Sequence, residues 1–155
     1  LLEYREHGVE VLYGGEPFTL PKNLYFMCTM NTADRSIALL DSAMRRRFSF
    51  VELHPSVDPT ASMLSEWLER NGHPPTAARL LSLLNEAIDD RDAHIGPSYF
   101  MVDEQTRERL SRIFRTQIEP LLQETHYDRW ASMSSKFDFD TLYAKATKEP
   151  PTDSE

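Results

Sequence analysis

Two short stretches of this 155-residue chain carry side chains whose types and spacing suit chemistry. The first is Thr29-Met30-Asn31-Thr32-Ala33-Asp34-Arg35-Ser36, where an apolar run ends in polar residues. The amide of an asparagine such as Asn31 can donate to a phosphate oxygen and accept from a water. Phosphoryl transfer needs its attacking water held in that way. The same residue types also satisfy backbone groups at an ordinary turn, so a plain structural role stands beside the chemical one. The second stretch is Arg45-Arg46-Arg47. Cations near a helix C-terminus are each favourable by roughly 0.3–1 kcal/mol, which explains one or two arginines more easily than three. A helix from Ser36 to Arg46 would separate Asn31 from the guanidiniums by about 15 Å. One nucleotide would hardly use both ends. Two nucleotides could, if subunits pack in a ring and the arginines reach a neighbour's site to stabilise transition-state charge.

The elements that must position these residues follow from patterning. Residues 9–13 and 17–20 are strand-like on either side of Gly14-Gly15, a pair that suits a hairpin turn. Leu24 to Met30 is apolar without alternation, as in a strand covered on both faces of a parallel sheet. Asp34 is placed to cap a helix reaching about Arg46, with Ile37, Leu40 and Met44 on one face. Residues 48–53 read as a second core strand, completing a strand–helix–strand unit. Beyond His54-Pro55 the pattern becomes helical. Helices are expected over 59–70 and 75–90, the latter with Ala77, Leu81, Leu84 and Ile88 in one stripe. Gly72 and Pro74-Pro75 punctuate the junction between them. Asp103 is a candidate cap for a helix carrying Leu110, Ile113 and Phe114. Pro120 starts or kinks the next helix. A last helix is expected from Phe139 to about Ala146.

Composition bounds the function. Hydrophobic residues make up 40% and charged residues 27%, a globular balance. The net charge of -8 argues against a broad DNA-binding surface. No apolar run is long enough to cross a bilayer. The single Cys28 cannot form an internal disulfide, which fits a cytoplasmic setting. His7, His54, His73, His94 and His126 are scattered without metal-ligand spacing, so no metal site is expected.

Met30-Asn31-Thr32-Ala33-Asp34-Arg35-Ser36, followed by Leu39-Leu40-Asp41 and Arg45-Arg46-Arg47-Phe48, resembles the signature of the McrB family of AAA+ NTPases. His94-Ile95-Gly96-Pro97-Ser98-Tyr99-Phe100-Met101 is similar to the family's lid segment, with Pro97 where a histidine is usual. The resemblance covers roughly residues 1–130. It implies an α/β fold: a partial AAA+ core of parallel-sheet strands plus a β-hairpin over residues 1–55. A small all-helical lid would follow over 56–147, then a disordered acidic tail over 148–155.

The resemblance also implies roles. Asn31 matches sensor 1 and Arg46 the arginine finger, with Arg47 as its near partner. Asp34 and Arg35 lie in the motif beside the nucleotide and the subunit interface. Gly96 and Ser98 are candidates for nucleotide contact, or else belong to a turn before a strand. The chain has no Gly-x-x-x-x-Gly-Lys-Ser/Thr loop and no Walker B strand. It begins as though within a helix, so it is expected to be part of a longer protein and inactive alone. The intact parent would hydrolyse ATP or GTP with Mg²⁺ as a homo-oligomeric ring, a hexamer by analogy. It would work beside a McrC-like nuclease subunit, with DNA read by domains elsewhere, in modification-dependent restriction. A non-catalytic interaction module, or a protein-remodelling ATPase of the MoxR or dynein-related kind, are the alternatives.

Overall fold

The computed structural model describes residues 7–10, 12, 17–31 and 45–148. The chain divides into two compact units, Leu1–Val51 and Glu52–Glu155.

In the first unit Val9 and Phe18 exchange both backbone hydrogen bonds, each 2.9 Å, in a single antiparallel bridge. Gly8 stands beside it for a steric reason: a Cβ there would lie 2.7 Å from the Pro17 Cβ. No strand forms among the described residues, which overturns the expected α/β core with its parallel strands and hairpin. The runs 24–30 and 48–53 are irregular, with Tyr25 87%, Met27 98% and Val51 78% exposed. An apolar run becomes a buried strand only where neighbours take its N–H and C=O groups and layers cover both faces. Among the described residues neither run has such a paired strand. The Gly14-Gly15 turn and the helix expected after Asp34 lie outside the described residues.

The second unit is helical. Helix α1, Thr60–Arg70, buries Thr60, Leu64 and Leu68 at successive spacings of four. It stops at Gly72, whose φ of 69° is the left-handed conformation glycine adopts without penalty. The Gly72 N–H donates to the Glu69 carbonyl at 3.0 Å and the His73 N–H to the Leu68 carbonyl at 2.8 Å. Together these satisfy carbonyls that the helix end would otherwise leave unpaired. Helix α2, Thr76–Glu86, turns Ala77, Leu80, Leu81 and Leu84 inward, the stripe its periodicity predicts.

Helix α3, Arg107–Ile113, is capped not by Asp103 but by Thr106, whose hydroxyl accepts from the Arg109 N–H at 3.2 Å. Thr106 stands immediately before the first helical residue, where a side-chain oxygen reaches the exposed N–H groups; Asp103 is too far upstream. Helix α4, Glu119–Thr125, continues from α3 through one wide π turn, Phe114–Ile118. Pro120 accounts for the widening. It has no N–H, and its ring would collide with the carbonyl four residues earlier in a regular α-helix. A short helix α5, Trp130–Met133, precedes α6, Phe139–Thr147. The Asp138 carboxylate caps α6 by accepting from the Thr141 N–H at 2.8 Å.

The core of this unit lies chiefly where α2 packs on α6, and α1 leans on α2 and on the 3₁₀ turn Pro97–Phe100. Leu80, Leu84, Phe100 and Ile118 are completely enclosed. Trp130 stacks on Phe137 with ring centroids 5.9 Å apart, and Phe114 meets Phe139 at 5.5 Å. No helix among the described residues is long and apolar enough to cross a membrane.

Candidate functional site

The candidate residues fall in both units. In the first, Asn31 is exposed at the end of the irregular run that begins at Pro17. Arg45, Arg46 and Arg47 are also exposed, Arg45 in helical backbone and the other two in a turn. The Phe48 N–H donates to the Arg45 carbonyl at 3.5 Å, and the Arg45 guanidinium sits 5.9 Å from the centre of the Phe50 ring. Cation–aromatic attraction therefore holds the first arginine of the three over its own chain. Asp34 and Arg35 lie outside the described residues.

In the second unit, Gly96 and Ser98 belong to a loop that one buried amide fixes. Asn85 on α2 donates its side-chain N–H to the Ile95 carbonyl at 3.0 Å and accepts from the Ile95 N–H at 2.7 Å. Both ends of the amide are used on one residue, so the backbone immediately before Gly96 is clamped to α2. The loop then enters the 3₁₀ turn Pro97–Phe100 with Pro97 buried. No strand follows among the described residues, which corrects that part of the expectation.

Gly96 has φ -77° and ψ 159°, backbone angles open to most residues, and a Cβ there would meet nothing within 4 Å. Nothing in the fold of this loop therefore demands a glycine. Ser98 is exposed on the rim of an open groove of about 260 Å³, whose other walls are Tyr99, Val102, Arg109, Ile113 and Gln117. Arg109, Ile113 and Gln117 recur every four residues along α3 and the π turn. The groove is apolar at Val102 and Ile113 and polar at its edges. Arg109 makes no ion pair among the described residues.

Charge in this unit is arranged mostly for structure. Arg91 donates to the Glu52 carboxylate at 2.7 Å. That hydrogen bond lowers the carboxyl's pKa and raises the guanidinium's. Hydrogen bonds from Thr141 likewise hold the Asp138 carboxyl below the usual aspartate range. Arg107 reaches Asp140 at 2.6 Å and lies over the Tyr143 ring, tying α3 to α6. Among the described residues no three His, Cys, Asp or Glu side chains converge on a point where a cation could sit.

Two features are not legible in the sequence. Asn85 sits within an apolar helical stripe and reads there as a neutral interruption. Arg109 is one of several arginines on a polar helix face. Neither has a spacing signal: Asn85 is bonded to Ile95 of the loop, and Arg109 only lines a groove with Ser98, Tyr99 and Val102.

Residues 76–134 match the family model described as McrB, alpha-helical lid domain. The chain is 35% identical, over 127 residues, to the type IV methyl-directed restriction enzyme EcoKMcrB subunit of Escherichia coli (strain K12). The chain is McrB-like. The matched stretch covers 73% of it and 28% of that relative, so the chain spans under a third of the relative's length. No solved structure matches. The McrB lid match runs from the first turn of α2 to the end of α5, and so takes in Asn85, the Gly96–Ser98 loop and Arg109.

Proposed function

We propose that this McrB-like chain forms part of a ring-building AAA+ nucleoside triphosphatase that drives a McrBC-type, modification-dependent DNA restriction system. The observation carrying the proposal is the 35% identity to an McrB subunit over most of the chain, together with a lid-domain match over residues 76–134. The sequence around Asn31 and Arg46 supports it. In this reading Asn31 orients the attacking water at one subunit's nucleotide. Arg46, with Arg47 beside it, stabilises the charge of the transferring phosphoryl group at the neighbour's. Asp34 and Arg35 line the boundary between the two. Gly96 leaves room for close approach of a nucleotide, and Ser98 offers it a hydroxyl. ATP and GTP both fit these roles, and the setting is the cytoplasm. A McrC-like nuclease would be the partner, and DNA would be engaged by regions other than these. Among the described residues no cluster of His, Cys, Asp or Glu suits Mg²⁺, which in this reading would be held elsewhere in the intact subunit.

The test is kinetic. In a full-length subunit carrying these residues, Arg46→Ala should lower kcat for nucleotide hydrolysis by about 10³-fold or more while KM moves little. An equal loss in binding and turnover would remove the arginine from the transition state. A full-length native subunit with no ATP or GTP turnover would instead favour a non-catalytic assembly module.

A further inference from the structure

Residues 52–56 approach the loop 88–94 through two histidines that share one serine. The Ser56 N–H donates to His54 Nδ1 at 3.1 Å. His54 Nε2 lies 2.9 Å from the Arg91 carbonyl. Ser56 Oγ lies 2.9 Å from His94 Nδ1, and His94 Nε2 lies 3.3 Å from the Ile88 carbonyl. The ring centroids are 5.2 Å apart.

Donor and acceptor rules determine where the protons are. A carbonyl only accepts, so Nε2 of each ring must carry a hydrogen. A backbone N–H only donates, so His54 Nδ1 must be a bare lone pair. His54 is therefore neutral. At His94 the Ser56 hydroxyl serves either state: it donates to a bare Nδ1 and accepts from a protonated one. We propose that Ser56, His54 and His94 form a clasp pinning Glu52–Ser56 to the helical unit, and that protonation of His54 opens the Ser56 backbone leg while the His94 leg persists. A proton on His54 Nδ1 would face the Ser56 N–H, and an amide cannot turn to accept it. The His54 Nε2–H bond to Arg91 survives, so the release is local to Ser56.

The charged groups around the clasp are Glu52 with its partner Arg91, and the carboxylates of Asp89, Asp90 and Asp92 on the facing loop. Lys136 reaches Asp89 at 3.9 Å. The clasp is independent of the nucleotide reading, since it uses none of the residues assigned there.

The measurement is ¹⁵N NMR on the full 155-residue chain. At neutral pH both rings should show the Nε2–H tautomer. The Ser56 amide, though exposed, should exchange at least about fivefold more slowly than in His54→Phe, as one hydrogen bond of ordinary strength would give. On acidification that protection should disappear in step with His54 protonation. Ser56→Ala should keep the protection of the residue-56 amide, because only the hydroxyl leg is removed. An Nδ1–H tautomer on His54 in the native chain would overturn the clasp whatever the variants do. So would a Ser56 amide that exchanges no faster in His54→Phe.

Discussion

Asp138 is a single carboxylate whose local bonds have a measurable consequence. It accepts from Thr141 at the start of α6, and those hydrogen bonds lower its pKa in the folded chain. A carboxyl lowered on folding contributes stability that is fully present above its unfolded value, about 3.9. That contribution is lost as pH falls through the lower, folded value. Asp138→Ala should cost about 1 kcal/mol at neutral pH, read as a shift in urea midpoint. Asp138→Asn should keep most of the cap and remove this residue's share of the acid sensitivity below pH about 4. Undiminished acid sensitivity in the Asp138→Asn variant would show that the cap bond does not set it. Legibility at this scale was uneven. The helix expected from Phe139 is present, and Asp138 stands one residue before it. The cap of α3 is not legible in the sequence, because Asp103 and Thr106 are both good capping types and only the backbone decides which stands next to the first turn.

Elements were legible where burial follows a period and illegible where it follows a partner. Helices α1 and α2 appear where stripes of Leu and Ala recur every three or four residues, because such a stripe needs only one apolar surface to rest on. The runs 24–30 and 48–53 are as apolar, yet a strand also needs a paired neighbour, and nothing in a run's own residues supplies one. The loop 88–96 is a third case. Its shape comes from Asn85, whose amide replaces the backbone partners that Ile95 would have in a regular element. Asn85→Ala would leave the Ile95 N–H and C=O unpaired in a buried place, at a cost of about 2–3 kcal/mol. For a unit near 100 residues that lowers Tm by roughly 10–20 °C. The Gly96–Ser98 turn should lose amide protection before the rest of the unit does. A change of less than about 0.5 kcal/mol would mean that water takes over both bonds, and that the clamp is not what shapes the loop.

At the scale of the whole molecule, the helical unit is explained by its own contacts and the candidate chemistry is not. The enclosed leucines and phenylalanines between α2 and α6 account for that unit without reference to any ligand. Asn31 and Arg46, by contrast, are exposed, and the roles proposed for them depend on a nucleotide and a neighbouring subunit. A sequence motif can propose such residues, because chemistry constrains residue type at each position. It does not convey their arrangement, which in the proposed ring would be completed by a second copy. In the proposed ring the two residues serve different nucleotides. Mixing full-length Asn31→Ala subunits with full-length Arg46→Ala subunits tests this directly, with nucleotide turnover as the readout. Each variant alone should be nearly inactive. In a randomly mixed ring about one interface in four would join an intact asparagine to an intact neighbouring arginine, so the mixture should recover a substantial part of native turnover. A mixture no more active than the average of its two parents would contradict the claim.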